Sequence, residues 1–437
     1  MLRLGLLFAM VLVLGGCESW FGETDKPPLP GKRISVLEHQ RTLAPDGRAQ
    51  TEPIELPPPR VNPEWPQAGG YANHAMHHLQ LADTIERAWT ADIGSGRSSS
   101  RPRLSSPVIA DGRIYTMDTR HVVTAFDAQS GQRVWRTDLA ADERDDDAIV
   151  GGLGYEQGRL IATTGFAQAI ALDAATGNEL WRRKVGLPFH SAPTVRGGRV
   201  FAITVDNTLH ALSVFDGSTL WTFGAITETA SLLGDASSAV DADVVVAPFS
   251  SGELVSLKAE NGRVLWSDSL ASRRRTDELA TIAQIRGLPV IDRGRVFAVG
   301  YGGITAAIDL RTGQRNWDRD IGGLQTPWVA GRFVYMVTDQ AELVCLSWAT
   351  GSVHWVAPLD AYGNPDKKRD PILWSGPVLV GDRLVAAGSH GRVLSVSPYD
   401  GRPLGELRMP AGVTVPPVVA NGMLYILADN GQLVAFR

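Results

Sequence analysis

Seven tryptophans and one glycine mark this chain at near-even intervals: Trp89, Trp135, Trp181, Trp221, Trp266, Trp317, Trp355 and Gly405. From Trp135 on, a glycine stands four residues before each mark, from Gly131 and Gly177 through Gly351 and Gly401. Consecutive marks are 38 to 51 residues apart. One aromatic residue per unit at such a period is the sequence signature of a β-propeller.

The fullest units, residues 105–135 and 191–221, each hold three short apolar runs separated by glycine-containing turns, then a last run ending at the Trp. Runs of β-branched and aromatic residues between turn signals read as strands. Each unit is therefore a four-stranded blade. The first-strand signal occurs eight times, near Ser106, Gly152, Ala192, Ser237, Leu288, Thr326, Gly376 and Val415. The fourth-strand signal is offset, beginning at Ile85–Trp89, while the last unit stops at a third strand, Val434–Arg437. Joining the two closes the ring and removes an exposed edge. The expectation is an all-β, eight-bladed propeller over residues 65–437, its last blade closed by strands from both ends. The Trp residues are expected to wedge between neighbouring blades, each indole N–H finding a local acceptor.

The first residues are of another kind. Arg3 precedes an apolar stretch from Leu4 to Leu14 that is too short to span a bilayer, and Gly15-Gly16-Cys17 follows. Residues 1–16 read as a signal peptide of the lipoprotein type, with Cys17 the lipidated residue; a cleaved soluble signal is the rival reading. Several acyl chains on one cysteine hold a soluble domain stably at a membrane. Cys17 and Cys345 are the two cysteines of the chain, so acylation of the first leaves no disulfide. Cys345, within Leu343–Leu346, reads as a small buried hydrophobe. Residues 17–64 hold Pro27-Pro28-Leu29-Pro30 and Pro57-Pro58-Pro59 around a polar stretch. That composition predicts a flexible tether, extended at roughly 3 Å per proline-rich residue.

Signals for chemistry are sparse. The formal net charge of −5 and the absence of a basic stripe beyond Arg273-Arg274-Arg275 give no footprint for nucleic acid. His74, His77 and His78 have a spacing that suits a metal on a helix, yet no acid or cysteine accompanies them; a capping or surface role is favoured. The acidic run 142–147 lacks the glycine and terminal glutamate of a calcium loop, and reads as a solvated loop. No nucleophile elbow, zincin helix or phosphate-binding loop occurs. No catalytic residue, metal or cofactor is expected.

The unit Ala171–Trp181, repeated at Thr312–Trp317 and Thr350–Trp355, resembles the repeat of quinoprotein dehydrogenases, eight-bladed propellers that hold pyrroloquinoline quinone and calcium. The resemblance covers the ring from about residue 85 and implies the fold. Those enzymes stack the quinone on a disulfide of adjacent cysteines, which this chain lacks. A lipoprotein signal, a linker and a ring without large insertions are more similar to the BamB family, lipoproteins of the β-barrel assembly (BAM) machinery of the Gram-negative outer membrane. The stretch 65–79 is similar to alphaproteobacterial members. This resemblance implies a non-enzymatic scaffold on the periplasmic face. It implies contact with the periplasmic POTRA domains of BamA and with other BAM subunits, and help in delivering unfolded outer-membrane proteins. A strand of such a client could pair with an outer blade edge. The family's BamA contact maps onto Ser231–Asp235 and Ile282–Gly287, giving Leu232, Leu233, Asp235, Gln284 and Arg286 as partner-binding residues. Leu233 stands near an arginine of the enterobacterial pattern, and Gln284 and Arg286 near its acids. The alternatives are a dehydrogenase-like propeller or another binding lipoprotein of the envelope.

Overall fold

The computed structural model describes residues 43–140, 150–226, 236–271, 284–301 and 303–437. Residues Ala44–Arg437 form one compact unit. It consists of eight four-stranded antiparallel sheets, seven of them in sequential order from the innermost to the outermost strand. The blades span residues 108–138, 150–184, 194–224, 239–269, 290–319, 328–358, 374–408, and 418–436 together with 87–92. In the eighth, Arg87–Asp92 pairs antiparallel with Gln432–Phe436, as the offset of the repeats requires. A small hairpin, Tyr362–Asn364 with Arg369–Pro371, lies between blades 6 and 7.

Local sequence explains each blade. The first two strands meet at two-residue turns with both residues at positive φ, as at Asp111-Gly112 and Asn421-Gly422. Such turns match the twist of the strands they join. The third and fourth strands meet at a turn organised by an acid. Asp173 Oδ1 accepts bonds from the Thr176 amide and hydroxyl, both within 3 Å. Those bonds hold the Asp173 carboxyl below its ordinary range. The turn ends at Gly177, φ +76°, where a Cβ would stand 2.5 Å from the Trp135 ring. Glycine is required there both for the backbone and for the indole of the preceding blade.

All seven ladder tryptophans pack on the glycine of the next blade in this way. Each indole N–H donates to a carbonyl of that blade, from Trp89 to Ala128 through Trp355 to Pro398, at 2.7–3.2 Å. The ladder is therefore an inter-blade lock. Cys345 is free and fully buried on the third strand of blade 6.

The stretch ahead of the ring is a belt. Residues 62–81 run round one mouth of the propeller and bond to the inner strand of every blade in turn. Asn62 Nδ2 donates to Val419 of blade 8, and Trp65 exchanges two backbone bonds with Ile109 of blade 1. Tyr155 of blade 2 donates to Pro66, and the Gln67 amide makes both bonds to the Val195 backbone of blade 3. Val240 of blade 4 donates to Ala72, and Ile291 of blade 5 to Asn73. The Trp328 indole of blade 6 donates to His77, and Leu79 bonds Leu379 and Gly381 of blade 7. Trp65, held by blade 1, stacks on Trp328 of blade 6 at 6.3 Å, so the two rings join blades that are not neighbours. Met76, Leu79 and Leu81 join them in the largest apolar cluster.

The boundary expected at residue 65 moves to about 44. Asp46 bonds both backbone groups of Val353 on the outer strand of blade 6 and pairs with Arg319 at 3.1 Å. Pro57 accepts from His78 Nδ1 at 2.7 Å, and Arg60 bridges to Leu79. Proline-rich chain lacks donors for its own secondary structure, but its free carbonyls suit an extended segment laid against a preformed surface. Cys17 and the rest of the expected signal and tether, residues 1–42, lie outside the described residues.

The histidines expected to cap the fold belong to the belt. His74 is fully buried, with Nδ1 on the Pro289 carbonyl at 2.7 Å. Burial pushes its pKa down to about 4, against a smaller upward effect of that bond. A depressed histidine pKa gives stability that is complete above the unfolded value near 6.5 and is lost as pH falls toward 4. The loss attributable to His74 is about 2 kcal/mol by pH 5. Urea midpoints at pH 7.5 and pH 5 will differ more in the wild type than in His74→Asn, which keeps a donor for Pro289 and does not titrate.

Candidate partner-binding face

The belt occupies the face where inner strands end. The opposite face carries the connectors from each outer strand to the next inner strand, together with the turns between second and third strands. On this connector face, blade 3 holds an exposed apolar group. The turn 204–207 lies between two connectors: Val205 N donates to Pro188 at 3.0 Å, and Asn207 Nδ2 donates to Ile226 at 2.6 Å. Asn207 Oδ1 accepts from the Ser250 hydroxyl of blade 4 at 2.9 Å, so one buried amide ties the two blades. Asn207 adopts φ +59°, which asparagine tolerates better than other side chains.

This framework holds Leu187, Val205 and Ile226 outward, 45%, 48% and 62% exposed. Beneath them Phe189 is fully buried and meets His210 edge-on at 5.9 Å. Burial lowers the His210 pKa against the raising influence of Asp206. Burial alone would raise the Asp206 carboxyl, but bonds from the Thr204 and Thr208 hydroxyls outweigh it and hold it low. The group is thus apolar at its centre with an ionised acid beside it, the arrangement of a modest protein interface. Ile226 N donates to Glu253 of blade 4.

Of the partner residues expected from sequence, Leu232, Leu233 and Asp235 lie outside the described residues, directly after Ile226 in the chain. Gln284 is fully buried, not a surface contact as expected. Its carbonyl accepts from Tyr301 N, and Ile285 N bonds Phe249, which draws this segment into the wall between blades 4 and 5. Arg286 is half-buried. Leu187, Val205 and Ile226 were missed by sequence reasoning. The signal available was apolar side chains standing in connectors, where turn residues are the rule.

A ring of eight four-stranded blades locked by a Trp–Gly pair at seven of its eight seams, with no metal-ligand cluster among the described residues, defines a propeller of the PQQ-like repeat class. Two family descriptions match within it. Residues 119–357 match the family described as outer membrane protein assembly factor BamB. Residues 70–157 match the β-propeller domain of glucose, ethanol and alcohol dehydrogenases. The outer membrane protein assembly factor BamB of Alkalilimnicola ehrlichii is 30% identical over 353 residues, 80% of this chain and 88% of the relative. That of Yersinia pestis is 27% identical over 356 residues, with the same shares. The crystal structure of BamB from Moraxella catarrhalis superposes with a TM-score of 0.67 at 18% identity, covering 81% of this chain and all of that one. The chain belongs to the BamB family.

Proposed function

We propose that this protein is a non-enzymatic assembly factor of the outer membrane, a scaffold that uses its connector face to dock another subunit of the β-barrel assembly machinery. The family match and the apolar group on that face support the reading. In it, Cys17 carries the lipid anchor, and residues 18–43 link it to the ring on the periplasmic side. Leu187, Val205 and Ile226 meet the periplasmic POTRA domains of BamA, and Leu232, Leu233, Asp235 and Arg286 are further contact residues in this reading. Unfolded outer-membrane proteins are the cargo of the assembled machine.

The residues present do not fit a quinone cradle: the chain has no adjacent cysteines, and the belt crosses one mouth of the ring. The observation that carries the scaffold reading is the rigid, outward-facing apolar group beside Asn207. Affinity purification of the intact chain from native outer membrane will recover BamA with it. A preparation that holds other envelope proteins and no BamA contradicts the proposal.

A further inference from the structure

Seven seams between blades are filled by an indole from the preceding blade, and one is not. At the seam between blades 7 and 8 the ladder position is Gly405, and a Cβ built there meets nothing within 4 Å. A groove of about 890 Å³ runs along this seam, lined by Ile85, Arg87, Leu407, Arg408, Met409 and Phe436 among others.

The seam between blades 4 and 5 shows what is missing. There Trp266 fills the space, and Asp268, two residues on and hence on the same strand face, accepts from Arg315 Nε at 2.7 Å and Nη2 at 2.9 Å. The positions correspond by register. Trp266 opposes Ser256 and Gly405 opposes Ser395, each just before the same break in pairing. Arg315 stands two before Trp317 and opposes Ile308; Arg87 stands two before Trp89 and opposes Phe436. Blade 7 therefore replaces Trp and Asp with Gly405 and Leu407, while blade 8 keeps the arginine. Arg87 is exposed and makes no ion pair among the described residues. Among the described residues Arg408, which lines the same groove, pairs only with Glu406, at 3.9 Å.

We propose that this seam is a binding site for an extended peptide segment carrying an aromatic residue followed, two places on, by a carboxylate. The aromatic ring enters the groove that the missing indole leaves beside Leu407 and Phe436, and the carboxylate pairs with the exposed Arg87 as Asp268 pairs with Arg315. A planar guanidinium gives such a carboxylate two parallel hydrogen bonds. The site lies on the rim of the ring and is independent of the connector face, so either can fail without the other.

The test uses the chain's own solution to the problem. A fluorescein-labelled peptide with the sequence of residues 263–269, which holds Trp266 and Asp268, is titrated against the whole protein by anisotropy. Binding is expected at roughly 100 µM peptide. Replacing the peptide's Asp by Asn, or Arg87 by Gln in the protein, weakens binding about tenfold, and the two changes together cost no more than either alone. Gly405→Trp fills the space and abolishes binding with an unchanged circular dichroism spectrum. No anisotropy change up to about 1 mM peptide overturns the proposal, as does equal binding by the wild type and Gly405→Trp. Should Gly405→Trp not fold, the exposed Arg87→Gln carries the test, and equal affinity for the Asp and Asn peptides overturns it.

Discussion

Trp65→Ala lowers the stability of the ring by about 4 kcal/mol, the largest single-residue effect expected outside the ladder. The indole is 2% exposed and stacks on Trp328 of blade 6. Its removal leaves a void bounded by blades 1 and 6, and neither can move in to fill it without breaking its own sheet. The backbone bonds of Trp65 to Ile109 survive the substitution, so the loss is packing and not pairing. Propeller blades otherwise touch only their neighbours, and the belt is what couples blades far apart around the ring. The variant is therefore expected to open at the belt before the blades unfold. Urea unfolding will show the reduced midpoint, and hydrogen exchange will show amides at 65–79 losing protection first. A change below about 1 kcal/mol would mean that the Trp65–Trp328 stack contributes little.

Leu187→Asp combined with Ile226→Asp reduces recovery of BamA to about one tenth of wild type, with no loss of the fold. Both side chains are about half exposed, so charge there costs the isolated ring little. In the proposed complex the same positions form the dry centre of the interface, where an uncompensated carboxylate costs several kcal/mol. The nearby Asp206 is held ionised by its threonine bonds, and added carboxylates would repel it and any acidic partner group. The framework under the group depends on Asn207 and Ser250, which the variant leaves intact.

The ladder was legible because each unit carries its whole instruction locally. Trp135, Gly177 and the Asp173 turn lie within one period, and the offset at Trp89 announced the shared blade. The belt was not legible, because its bonds reach residues tens to hundreds of positions away. Gln67, for example, looks like an ordinary polar residue until Val195 is beside it. The proline clusters suggested a tether reaching to residue 64, whereas the segment from Ala44 uses its free carbonyls against the ring. Gln284 looked like an exposed loop residue, but the apolar Ile285 beside it pulls the segment inward. Gly405 was visible as a gap in the ladder, yet its meaning needs Arg87 from the other end of the chain.

In the proposed complex the connector face docks the assembly machinery and the belt face does not. Capture of BamA from native outer membrane, compared between wild type, Leu187→Asp/Ile226→Asp, and Val61→Asp, tests it most directly. Val61 is 55% exposed, next to the belt residue Asn62. Full recovery is expected with wild type and Val61→Asp, and about one tenth with the double variant. Full recovery with the double variant, or loss with Val61→Asp alone, would contradict it.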